Sequence, residues 1–276
     1  MSNLERLKTR IAAEGLDAVL LLNPDNRYFA TGFHSSAGAV IATAKDAWFI
    51  TDSRYIEAAT EFAGDRFHVL QNCAAHPMND LIKAILSEQE VSKLGGEASR
   101  LSYEEYTAYE QLLGIKMIGC QAMLDELRAV KNEEELDYMR KAQEITDDVF
   151  TYICSFIKPG MTERRVAAEL VYQMMLRGAD QVSFDPIVVA GHRSSMPHGV
   201  PTDNVIQEGD FVTMDYGCLY RGYCSDMTRT IAVGYATDEM RKVYDTVLQA
   251  QLAGLAVSKA GVLGCDVDKA ARDIIE

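Results

Sequence analysis

Hydrophobic and polar positions change period repeatedly along the first part of the chain. A helical pattern near 2–14 leads into the unbroken apolar run "DAVLLL", which reads as a strand buried on both faces. A helical "NRYFATGF" follows, then "AGAVIAT" and "AWFITD", two strands of a hairpin. Helix 53–63, the strand "FHVLQ", helix 78–88, the strand "KLGGE", helix 102–113 and the strand "IKMIGC" continue the series. This alternation predicts an α/β domain with helices packed on a central sheet.

Beyond Arg128 the pattern lengthens. In "KNEEELDYMRKAQEITDDVFTYICSF", Asn132 is placed to cap a helix with Glu135 three residues on. Leu136, Met139, Val149, Ile153 and Phe156 then mark the apolar side of a long amphipathic helix. Pro159-Gly160 ends it, and Thr162 opens a second helix that Gly178 closes. Strand patterns follow in "PIVVAG", "FVTMDYG" and "YCSDMTRTIAVG". A helix over about 238–259 carries Met240, Val243, Tyr244, Val247, Leu248 and Gln251 on one stripe, and another begins near Asp266. Its stripe, Val267, Ala270, Ala271 and Ile274, is still in progress at Glu276, so the second domain reads as incomplete at its C-terminus. The division predicted is 1–127 and 128–276.

Composition narrows the function classes. With 48% hydrophobic and 25% charged residues the chain is of ordinary globular type, and a net charge of −14 argues against a nucleic-acid-binding surface. No apolar stretch approaches the roughly 18 residues of a membrane span. "MSNLERLKTR" reads as an amphipathic helix start rather than a signal peptide, which predicts a cytoplasmic protein. Six scattered cysteines without a CxxC fit a reducing compartment better than a disulfide framework or a zinc knuckle.

The candidate chemistry lies in "MDYGCLYRGYCSD", residues 214–226, with an aspartate near each end and Arg221-Gly222 between. If those two residues form the turn, Asp215 pairs with Thr228 and Asp226 with Gly217. Residues two apart share a face, so the two carboxylates become diagonal neighbours about 7–8 Å apart. Such a pair can hold one metal ion, or two ions about 3.5–4 Å apart. Oxygen ligands suit Mn²⁺ or Mg²⁺, and Zn²⁺ or Co²⁺ if an imidazole joins. Gly217 opposite Asp226 would leave room for an ion or substrate. The same register puts Cys218 and Cys224 on opposite faces. Taken alone, two aspartates on a hairpin are more often solvated strand-end charges, and the facing does not overturn that. Upstream, "SSMPHGVPTD" presents His198 between a proline and a glycine, where an imidazole can serve acid–base chemistry. A turn histidine with no role is again the commoner case. His192 reads as a surface residue, and His34, His68 and His76 as structural or solvent-facing members of the first domain.

These segments together resemble a known family. "FDPIVVAGHRSSMPHGVPTD" and "EGDFVTMDYGCLYRGYCSDMTRTIAVG" resemble the central motifs of the Xaa-Pro peptidases (Xaa-Pro aminopeptidase and prolidase) of the pita-bread metallopeptidases. "LRAVKNEEELDYMRKA" resembles the helix that opens their catalytic domain, and "YFATGFHSSAGAVIAT" with "FITDSRYIEAA" their creatinase-type N-terminal domain. The resemblance implies an α/β creatinase-type domain followed by an α+β pita-bread catalytic domain. It implies two divalent metal ions, Mn²⁺ first and Co²⁺ or Zn²⁺ as alternatives, with Asp215 the terminal ligand and Asp226 the bridging one. Thr228 would orient a carboxylate, and His198 would contact substrate and help stabilise the tetrahedral intermediate. A hydroxide shared by the metals would attack the carbonyl preceding proline in proline-containing peptides, and the protein would be a homodimer. The family's remaining ligands, one His and two Glu, lie on strands after the helix near Asp266, and none of those strands is among these 276 residues. The expectation is therefore an Xaa-Pro peptidase whose 276-residue portion alone is inactive. A pita-bread interaction protein without activity and a creatinase-like, metal-independent amidinohydrolase are the competing readings. Retention of both aspartates speaks against the amidinohydrolase; the missing C-terminal ligands fit the interaction protein, but the intact set of Asp215, Asp226 and His198 does not.

Overall fold

The computed structural model describes residues 1–276, which divide into two compact units, Met1–Leu136 and Asp137–Glu276. The first contains α1 (Asn3–Ala13), β1 (Ala18–Leu21), α2 (Pro24–Thr31), β2 (Ala39–Thr43), β3 (Ala47–Thr51), α3 (Ile56–Ala63), β4 (His68–Gln71), α4 (Met78–Glu88), β5 (Leu94–Gly96), α5 (Tyr103–Leu113), β6 (Met117–Gly119) and α6 (Gln121–Ala129). Its six strands form one mixed sheet in the order β4-β3-β2-β1-β5-β6. β2 is antiparallel to both β1 and β3, while β4, β5 and β6 join in parallel.

The run "AVLL" of β1 is wholly buried because helices cover both faces. Val19 and Leu21 meet α1, α2, α3 and α6, whereas Ala18 and Leu20 meet α4 and α5. Helix α6 was not anticipated in the sequence. Its Met123 and Leu124, with Leu127 a turn later, complete the first of these two layers.

The rest of the chain supplies α7 (Glu133–Phe156), α8 (Glu163–Leu176), β7 (Gln181–Val182), β8 (Ile187–Ala190), a 3₁₀ turn at Gly191–Ser195, β9 (Phe211–Tyr216), β10 (Cys218–Tyr220), β11 (Tyr223–Cys224), β12 (Met227–Ala232), α9 (Asp238–Val257) and α10 (Gly264–Ile275). The expected cap of α7 is a reciprocal box: Asn132 Oδ1 accepts from the Glu135 N–H at 2.9 Å, and Glu135 Oε2 from the Asn132 N–H at 2.7 Å.

In the second unit a three-stranded antiparallel sheet, β12-β9-β8, adjoins a smaller one, β11-β10-β7. Ile145, Val149 and Ile153 of α7 and Val166, Leu170 and Met174 of α8 bury one sheet face through Val188, Val212, Met214 and Tyr216. Helices α9 and α10 pack on one another, with Gly254 facing Val267. The stripe Val243, Tyr244, Val247 and Leu248 stays exposed.

Candidate active site

The site begins with alternation along β9. Val212, Met214 and Tyr216 are buried against α7 and α8, which turns Phe211, Thr213 and Asp215 to the opposite face. Asp215 is flanked by Ile187 on β8 and Thr228 on β12, and Thr213 by Val189 and Thr230. The hydroxyls of Thr213 and Thr230 are hydrogen bonded across the strands at 2.9 Å. Asp215 Oδ1 is buried and has no hydrogen-bond partner. A carboxylate oxygen withdrawn from water and left unpaired is costly unless a cation or donor meets it. A buried, unpaired carboxylate oxygen of this kind is donor chemistry that fits a divalent metal ion.

Register across the hairpin follows the turn. Arg221 and Gly222 both have positive φ, 47° and 79°, as a type I′ turn requires, and Thr228 lies opposite Asp215. Cys218 is buried and Cys224 exposed, so the two thiols do lie on opposite faces.

Where one continuous strand was expected after the turn, the ladder breaks between β11 and β12 at Ser225-Asp226. The Cys218 N–H is accepted by Ser225 Oγ at 2.9 Å, and that oxygen lies 2.6 Å from Thr146 Oγ1. Ser183 closes the gap: its N–H reaches Gly217 O at 3.1 Å and its hydroxyl reaches Ser225 O at 2.9 Å. This corrects the expectation for Gly217. The space a side chain would need there belongs to the Ser225 carbonyl, 2.0 Å from a would-be Cβ, so the glycine admits protein backbone rather than ion or substrate. Asp226 leaves the break exposed at the rim of the sheet, with Thr228 also exposed and Met227 buried between them.

His198 is exposed in the turn after the 3₁₀ segment. Its neighbour Gly199 lies so close to Val189 that a methyl group there would stand 2.4 Å from Cγ1. Val189 pairs with Thr213, hence shares the sheet face of Asp215. The histidine loop therefore rests on the face that carries the carboxylate. His192 is exposed on the 3₁₀ turn. In the first unit His34 stacks on Tyr28 and His68 on Trp48.

Sequence reasoning missed Glu163. It is fully buried at the start of α8, and its carboxylate accepts from the Ala190 and Thr202 N–H groups, the Thr202 hydroxyl, the Asn204 amide and Arg193 Nε. Burial acts to raise its pKa, but those donors outweigh it and hold the carboxyl below its ordinary value. A Thr-Glu pair opening a helix is the only signal in the sequence, and it points to a cap rather than to a hub. No cluster of three or more His, Cys, Asp or Glu side chains placed to hold a metal ion forms in the structure.

The geometry can be set beside known proteins. Residues 137–276 match the model of metallopeptidase family M24, and residues 3–130 that of the creatinase/prolidase N-terminal domain. The chain belongs to metallopeptidase family M24. Among M24 relatives, an uncharacterized peptidase of Bacillus subtilis, YqhT, is 38% identical over 99% of this chain and 76% of its own length. The solved Xaa-Pro dipeptidase from Bacillus anthracis superposes with a TM-score of 0.90 at 40% identity, over 99% of this chain and 76% of that one. The X-Pro aminopeptidase from Thermotoga maritima gives a TM-score of 0.91 at 32% identity, over 97% and 77%. The architecture is accordingly that of the M24 Xaa-Pro peptidases, a creatinase-like domain followed by a pita-bread domain.

Proposed function

We propose that the full-length protein is a metal-dependent exopeptidase that hydrolyses Xaa-Pro peptide bonds, of aminopeptidase P or prolidase type. The observation that carries this reading is the unpaired buried Oδ1 of Asp215 on the hairpin that also bears Asp226. Asp215 and Asp226 would hold the divalent ions, with Mn²⁺ favoured by an oxygen-rich set and Co²⁺ or Zn²⁺ as alternatives. Bound there, such ions supply Lewis-acid polarisation of the scissile carbonyl and activation of water at neutral pH.

The chain's own side chains divide the remaining work. Thr228, whose strand position lies opposite Asp215, would orient a carboxylate once the ions are bound. His198, carried on the loop over the same sheet face, contacts the peptide and stabilises charge that develops on it. On this reading the 276 residues by themselves offer the ions two carboxylates, Asp215 and Asp226. Ions such as Mn²⁺ give up their water only to a fuller ligand shell, so this portion alone is expected to bind metal weakly and to turn nothing over.

We further assign the protein to the cytoplasm, where scattered thiols stay reduced, and read it as a homodimer on the pattern of the family it resembles. No helix is long and apolar enough to cross a membrane. Sedimentation at micromolar concentration checks the dimer, and monomer alone would contradict it. The substrate reading is tested by assaying metal-loaded full-length protein on matched peptides with and without proline in the second position. Cleavage confined to Xaa-Pro bonds is expected, and equal cleavage of Ala-Ala and Ala-Pro peptides would refute it.

A further inference from the structure

Glu163 is a buried carboxylate that the proposed chemistry does not use. It lies at the first position of α8, away from the hairpin in sequence, yet its partners come from a single segment. Oε1 accepts from the Ala190 N–H at 2.9 Å, from Arg193 Nε at 3.1 Å and from Asn204 Nδ2 at 3.0 Å. Oε2 accepts from the Thr202 N–H at 2.9 Å and the Thr202 hydroxyl at 2.8 Å. Ala190 and Arg193 precede His198, and Thr202 and Asn204 follow it. The carboxylate thus grips both legs of the loop that presents the imidazole.

Backbone contacts run in the same sense. The Glu163 and Arg164 N–H groups reach Asn204 O and Thr202 O, both at 3.1 Å. Arg193, held by Glu163, crosses the loop to donate from Nη2 to Val200 O at 2.9 Å. Nearer the tip, the loop is braced by its own Met196 turn and by the seat of Gly199 on Val189. A carboxylate suits the junction because it only accepts, and every group that faces it donates. An amide in its place would turn an N–H toward other N–H groups.

We propose that Glu163 is the positioning residue for His198: it fixes the two legs of the 190–204 loop so that the imidazole is held over the sheet face of Asp215. This rests on the reading that His198 acts on the substrate. Glu163 itself touches neither substrate nor metal. Displacement of a reacting group by about an ångström can cost on the order of a hundredfold in rate, so the link from Glu163 to turnover runs through loop geometry alone.

Two readouts test it. In Glu163→Gln, hydrogen exchange of amides 191–203 should quicken by about tenfold or more, because local opening is set by the bonds removed. Amides 212–216 should keep their protection. In metal-loaded full-length protein the same variant should lower kcat for an Xaa-Pro dipeptide by roughly ten- to a hundredfold, with KM moving less than about threefold. In a His198→Ala background it should cost less than about twofold more, since the group it positions is gone. Equal losses in both backgrounds, or unchanged exchange in the loop, would overturn the proposal. If Glu163→Gln fails to fold, Asn204→Ala keeps the carboxylate and removes one donor. It should move exchange and kcat in the same direction by about two- to fivefold, and no movement would overturn the proposal equally. Should the wild-type protein cleave no Xaa-Pro peptide, the functional reading fails, and the exchange result alone decides whether Glu163 holds the loop.

Discussion

In a Gly217→Ala variant the added methyl would stand 2.0 Å from the Ser225 carbonyl oxygen and 2.6 Å from Ser183 Oγ. Non-bonded heavy atoms settle near about 3.5 Å, so the carbonyl has to retreat by roughly 1.5 Å. It is not free to do so. Ser225 donates to Cys218 O at 2.8 Å, accepts from the Cys218 N–H at 2.9 Å and accepts from Ser183 at 2.9 Å. Loss of two of these bonds costs about 1 kcal/mol each, and a buried group left unpaired about 1–3 kcal/mol more. The total, about 3–5 kcal/mol, is a large part of the roughly 5–15 kcal/mol that holds a domain folded. For a unit of this size the melting temperature should fall by about 10 °C. Thermal melts by far-UV circular dichroism measure it, while Trp48, the single tryptophan, reports the first unit separately by fluorescence. Gly264→Ala, where the methyl would meet open space, is the control and should shift the melt little. A Gly217→Ala melt within about 2 °C of wild type would refute the account of the ladder break.

Three further outcomes follow from the site. If Asp226 holds the divalent ions as proposed, Asp226→Asn in the metal-loaded full-length protein should abolish turnover, because a neutral amide is a poor ligand for such cations, and retention of more than about a tenth of kcat would refute that role. His198→Ala should lower kcat by about 10²–10⁴-fold while metal content by elemental analysis stays unchanged, and loss of metal instead would make it a ligand or support. Glu163 has a lowered pKa, so the stability it contributes is full above its ordinary value of 4.5 and is lost as pH falls through the lowered one. Urea unfolding of wild type and Glu163→Gln should therefore differ most near neutrality and converge in acid; a pH-independent difference would contradict the hydrogen-bond assignment.

Much of this fold is legible because local signals agree with tertiary needs. The unbroken "AVLL" demanded cover on two faces and received it from helices on both sides of β1. Asn132 with Glu135 announced a cap, and Arg221-Gly222 a two-residue turn whose register placed Thr228 beside Asp215. The ladder break was hidden for a physical reason: Ser225 replaces a backbone partner with its side chain, and alternation in "YCSDMTRTIAVG" looks the same either way. Glu163 was hidden because its partners lie between 27 and 41 residues away, where no local period reaches. Helix α6 is short, and three apolar residues carry its only pattern. The α9 stripe was readable as a stripe, but periodicity does not say whether a stripe is covered, and in this structure it is exposed.

The central claim is that the Asp215–Asp226 hairpin takes part in holding divalent ions on which Xaa-Pro hydrolysis depends. Chelator-stripped full-length protein, titrated with Mn²⁺ while bound metal and cleavage of an Xaa-Pro dipeptide are followed together, tests it most directly. The account predicts no turnover without metal and activity that rises with occupancy to a plateau at about two ions per chain, with Asp215→Asn binding less metal and staying inactive. Full activity after exhaustive chelation, or normal metal binding by Asp215→Asn, would contradict it.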